Sequence, residues 1–144
     1  MKTAQEMEQV FKEILPWTHQ STGVTADLIS VRDGDSWEDN YFIIVVQLTQ
    51  ENNDDTTIVG SIKYHYWPET DTIEAVYFQT DIQGMLLLKD YHDYSCQSFL
   101  DRGFNGKTKA LHPAVMQVYE DFGWKRSEED SKIWVITPED KNAN

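Results

Sequence analysis

The sequence predicts an α+β fold built on a mostly antiparallel sheet, and three observations carry that expectation. The first half of the chain is a series of β-branched and aromatic runs separated by turn residues. At Ile82 the hydrophobic period changes from two to 3.6, the spacing of an α-helix. Beyond that point short β-like runs alternate with helical ones to the end. At 144 residues the chain reads as one domain over 1–144, long enough to bury a core.

Met7, Val10, Phe11, Ile14 and Leu15 recur at helical spacing before Pro16 ends the pattern, so the chain opens with an amphipathic helix of about three turns. Ala26 to Arg32 and Tyr41 to Thr49 then read as two strands of a meander around an Asp33-Gly-Asp-Ser turn, with a short helix as the alternative for the first run. Gln50 to Thr56 reads as a polar loop. Ile58 to Trp67 is the next strand, Pro68-Glu-Thr-Asp the turn after it, and Thr72 to Gln79 the fourth strand. A helix runs from Ile82 to about Arg102, with Met85, Leu88, Tyr91 or His92, Cys96 and Phe99 on one face and Gly103 as its cap. Lys107 to Leu111 is a short strand. Pro113 suits the first turn of a helix whose apolar face is Val115, Val118, Tyr119 and Phe122, with Gly123 as terminator. Lys132 to Thr137 closes the sheet, and Glu139 onward reads as a frayed end.

Five Trp, seven Tyr and six Phe mark a folded chain and not an acidic disordered one. The 25 acidic against 12 basic residues give a formal charge of −13, which argues against direct binding to nucleic acid or anionic membrane. The same charge suits a cationic ligand or a basic partner protein. Cys96 is the single cysteine, so no internal disulfide can form. With no secretory pattern and no apolar run of about 20 residues, a cytoplasmic location is expected. His19, His65, His92 and His112 show no metal-ligand spacing, and no metal is expected.

The order of elements from Ile58 to Trp124, and above all Tyr119-Glu-Asp-Phe-Gly-Trp124-Lys, resembles the acetyl-CoA-dependent GNAT N-acetyltransferases. The likeness covers roughly the C-terminal two thirds and is a fold-level analogy. It implies an acyl-CoA N-acyltransferase-like architecture, α/β and three-layer-like, with a central mixed sheet flanked by helices. It also implies a cofactor cleft between the strand at Thr72 to Gln79 and the strand at Lys107 to Leu111.

By that resemblance Tyr119 would protonate the leaving thiolate, and Glu74 would deprotonate the attacking amine. Chemistry agrees, since a phenol donates a proton and an inward carboxylate can act as base. Strand alternation groups Glu74 with Val76 and Phe78. Acetyl-CoA would lie against Val76, Phe78, Gln83, Gly84 and Met85, and His112 would replace the Asn that touches the pantetheine arm. Each residue has a plainer reading: Tyr119 as a core aromatic, Glu74 as a solvent-facing carboxylate, His112 as a helix N-cap. The chain departs from the family at Leu86 and Leu88, which stand where small residues let backbone N–H groups approach a pyrophosphate. Lys107, Lys109, Lys125 and Arg126 are the nearby cations.

Two functions are compatible with these residues. One is a GNAT-like acyltransferase acting on a small amine or a lysine side chain. The other is an inactive domain of the same fold whose acidic face, with Trp37, Trp67, Tyr64 and Tyr66, docks a basic protein as a binder or inhibitor. A homodimer through sheet edges is compatible with either.

Overall fold

The computed structural model describes residues 3–34, 40–81, 85–110 and 112–142. Within them run α1 (Ala4–Ile14), β1 (Trp17–Thr18), β2 (Val24–Asp33), β3 (Phe42–Asn52), β4 (Asp55–Trp67) and β5 (Thr72–Thr80). Then come α2 (Met85–Asp101), β6 (Asn105–Lys109), α3 (Pro113–Phe122), β7 (Lys125–Arg126), β8 (Ile133–Ile136) and α4 (Pro138–Asn142). The eight strands form one open sheet in the order β1-β2-β3-β4-β5-β6-β8-β7. Every neighbouring pair is antiparallel except β5 and β6, which run parallel across the α2 connection.

Local chemistry explains the ends of the elements. The Thr3 hydroxyl accepts the Glu6 N–H at 3.2 Å and caps α1, whose Met7, Phe11 and Ile14 are buried along one face. Gly123, at φ 121°, closes α3 while its N–H and that of Trp124 return to the Tyr119 carbonyl at 3.1 and 3.0 Å.

The run Ala26 to Arg32 is a strand, the first of the two readings the sequence allowed. Other expectations are corrected. Gln50 to Thr56 is no loop, because β3 and β4 continue until Asn52 pairs with Asp55, and the chain reverses at Asn53 with φ 56°. Asn tolerates that left-handed conformation better than most residues, so polarity here marks a hairpin tip. The tail expected to fray is helical, and its start is fixed reciprocally. The Thr137 N–H donates to Asp140 Oδ2 at 3.0 Å, and the Asp140 N–H donates to Thr137 Oγ1 at 3.1 Å. Strands β1 and β7, two residues each, are too short to leave a period-two pattern.

The layering also differs from the three-layer expectation. Met7 and Phe11 of α1 and Tyr91 and Phe99 of α2 share one buried cluster with Ile44, Tyr64, Tyr66 and Ile73 of the sheet. Cys96 and Leu100 of α2 and Tyr119 and Phe122 of α3 share a second with Trp134 and Ile136. Register places Ala75, Thr108 and Trp134 in one row across β5, β6 and β8, so both clusters occupy the same face of the sheet. The described helices thus form a single layer, and α2 spans both clusters.

Strand β5 is irregular on both of its edges. The parallel pairing with β6 covers Thr72 to Ala75 and no further. On the other edge β4 pairs Lys63 with Tyr77 but Tyr64 with Ala75, which leaves Val76 as a bulged extra residue. A bulge turns the strand and resets which residues face which side. β5 therefore parts from β6 where it changes phase.

Candidate functional site

A cavity of about 240 Å³ opens at that split, under α2 and at the seam of the two buried clusters. Ile62 and Tyr64 of β4 and Ala75 and Phe78 of β5 line it from the sheet. Leu88, His92, Cys96 and Phe99 line it from α2, and Thr108, Lys109, Val115, Tyr119 and Trp124 from the C-terminal elements. Most of these side chains are apolar, and Lys109 is the one Lys, Arg, Asp or Glu among them.

Tyr119 is 8% exposed, with its ring 4.8 Å from that of His92 and 5.2 Å from that of Trp124. Burial raises its pKa, opposed by a hydrogen bond with Thr108, so the phenol is protonated at neutral pH. It can therefore deliver a proton to a thiolate or alkoxide formed in the cavity.

His92 is the residue sequence reasoning left without a role. Its Nε2 accepts the Trp124 Nε1–H at 3.0 Å, so in the neutral ring Nδ1 carries the proton and donates to Asp93 Oδ1 at 3.1 Å. Burial lowers its pKa, with Asp93 opposing, so the neutral form persists below the usual imidazole range. The arrangement holds Trp124 and packs against Tyr119. The signal available in the sequence was a histidine in the apolar stripe of a helix. Cys96, 5% exposed, also lines the cavity, but burial pushes its thiol far above the ordinary range and it is not a ready nucleophile.

The expected site residues separate. Tyr119, Val76 and Phe78 line the cavity. Glu74 does not: it faces the opposite side of the sheet beside His65, where its Oε1 accepts the Trp67 Nε1–H at 2.9 Å. The bulge at Val76 corrects the simple alternation, because it moves Phe78 to the face of Ile73 and Ala75 and leaves Glu74 behind. His112 is the N-cap of α3, its Nδ1 accepting the Ala114 N–H at 3.1 Å, and it is exposed. Gln83 and Gly84 lie outside the described residues, and Met85 is the first residue of α2. Leu88 lines the cavity, whereas Leu86 is 59% exposed.

Of the cations, Lys125 pairs with Asp140 at 2.8 Å and Arg126 lies 5.0 Å over the Trp134 ring. Lys107, beside Glu74 in register, is on the far face of the sheet. The aromatics assigned to a docking face are also redistributed. Tyr64 and Tyr66 are 5% and 1% exposed and belong to the core, Trp67 stacks with Tyr41, and Trp37 lies outside the described residues.

Among the described residues no group of three or more His, Cys, Asp or Glu side chains is placed to hold a metal. No described helix is long and apolar enough to cross a membrane. No family model matches the chain, and no curated protein matches it.

Proposed function

We propose that the chain is a GNAT-like N-acyltransferase that moves an acyl group from coenzyme A to an amine. The observation that carries this reading is the cavity at the split between the parallel strands β5 and β6, with the Tyr119 phenol on its wall. The sequence resemblance implies a cofactor cleft between these same two strands. From Val76 to Gln79 the edge of β5 that faces away from β4 has no strand partner among the described residues, so its backbone can bond an amide-bearing arm laid along it.

In the proposed reaction the amine attacks the thioester carbonyl, the C–N bond forms and the C–S bond breaks. The thiolate takes the Tyr119 proton, and the proton released by the amine leaves through water at the cavity mouth. Glu74 supports no direct part in this step, since the sheet lies between it and the cavity. A cytoplasmic location belongs to the same reading. The charge of −13 favours a cationic acceptor such as a small polyamine or a lysine side chain.

Calorimetric titration with acetyl-CoA and CoA tests the proposal. Saturable binding is expected, and Tyr119→Phe should then cut kcat by about 10²–10⁴-fold across an amine panel with little change in Kd. Leu86→Gly with Leu88→Gly should tighten CoA binding by freeing backbone N–H groups for phosphate. Absence of heat at millimolar ligand would sink the transferase and leave the second reading, an acidic domain docking a basic protein. Among the described lining residues only Lys109 is basic, so the CoA phosphates would find little counter-charge in so acidic a chain, and that favours the second reading.

A further inference from the structure

The cavity is too large and too apolar to be explained by an acetyl group. It penetrates between the two buried clusters to Ile62, Ile73 and Phe99, all of them core side chains with no charge. At about 240 Å³ it exceeds a 150 Å³ apolar cavity of the kind that stays dry and takes up benzene. Its deep polar groups are engaged within the protein: the Tyr64 hydroxyl donates to Ser95 Oγ at 3.5 Å and that of Tyr91 to the Leu15 carbonyl at 3.3 Å. The Tyr119 phenol, on the same face as Thr108, is placed to meet a carbonyl or a carboxylate, while the rest of the wall offers mainly apolar contact.

We propose that the cavity is an acyl-chain site, which takes an unbranched aliphatic chain of medium length with its carbonyl at Tyr119. Where that chain arrives on a thioester, the inference rests on the transferase reading and names its donor as a medium-chain acyl-CoA. The same chemistry could arrive as a free fatty acid, and the experiment separates the two sources. Leu88 then has a use: it closes the chain site from α2 where a small residue would leave the apolar wall open.

The test is equilibrium binding of acetyl-CoA, octanoyl-CoA, octanoate and octanol to the full chain. Each buried methylene strengthens binding by roughly fourfold, so octanoyl-CoA should bind at least about 50-fold more tightly than acetyl-CoA even with half of the chain buried. Octanoate should compete with it. Ala75→Leu, which fills the cavity from β5, should remove the chain-length dependence. Val115→Trp, at a half-buried position on α3, serves as a second blocking variant should the first misfold. Equal Kd values for acetyl-CoA and octanoyl-CoA would overturn the chain site while leaving the transferase standing. Binding of octanoate and octanol without any CoA ester would support the site and overturn the transferase. A chain-length dependence that both folded variants retain would overturn the chain site, as would no binding of any of the four.

Discussion

The two halves of β5 are paired differently. Thr72 to Ala75 is paired on both edges, with β4 and β6, whereas Val76 is bulged and Tyr77 to Gln79 is paired with β4 alone among the described strands. In the first half Ile73 is buried at the deep end of the cavity, and in the second Phe78 is a half-buried part of its wall. The bulged residue at the boundary turns β5, and β6 ends at Lys109, one residue past the partner of Ala75, so the strands part there. The lesson is that a pocket needs no insertion or lid: a change of phase in one strand beside a parallel neighbour makes it.

The largest effect expected from this contrast is a difference between two Phe→Ala substitutions. Phe11→Ala in the filled core should cost about 3–5 kcal/mol of unfolding free energy, by transfer plus a new void. Phe78→Ala should cost no more than about 1–2 kcal/mol, since the space beside it is already empty and only the transfer part is lost. Denaturant melts of both variants check this, and equal losses would break the comparison.

Next in size is Gly60→Ala. A Cβ there would sit 2.2 Å from the Gln79 carbonyl oxygen and 2.9 Å from Thr80 Cα, so it would push the singly paired half of β5 off β4. A loss of about 1–3 kcal/mol is expected, together with altered ligand binding in the cavity, whereas Gly23→Ala, strained at φ 73° but with nothing near its Cβ, should lower stability and leave ligand binding unchanged.

The smallest effect is a pH dependence at His92. Its folded pKa lies below the ordinary value of 6.5 because burial disfavours the imidazolium, with Lys89 and Lys141 acting in the same sense and Asp93 against. The unfolded chain therefore takes up this proton first as pH falls. Stability is fully present above about 6.5 and declines toward the depressed folded value, with a slope of at most about 1.4 kcal/mol per pH unit. Protonation would also set an N–H against the Trp124 indole N–H. His92→Gln keeps an acceptor and a donor, and its melting temperature should be flat between pH 7 and pH 5.5 where the wild type declines.

Much of the fold was legible because it rests on local pattern. The stripe Met7, Phe11, Ile14 announced α1, and Gly103 and Gly123 marked the ends of α2 and α3. The bulge at Val76 was not legible, since a register shift is a property of two strands and no single run of residues carries it. The same applies to Glu74, whose side depends on that shift, and to the His92 and Trp124 contact, 32 positions apart. Tyr119 could be placed on the inner face of its helix from spacing, but whether it met a filled core or a cavity depended on the parting of β5 and β6.

The single parallel pair also has a kinetic consequence. The strands β2 to β5 pair in sequence order as antiparallel neighbours, so their contacts are near in sequence and can form early. β6 can join β5 only after the whole of α2 has crossed over, β8 adds to β6, and β7 adds to β8. The meander should therefore assemble first and the C-terminal strands last. The cavity comes into being with that final docking event, so mutations on β6 and β8 should speed unfolding and leave the folding rate nearly unchanged.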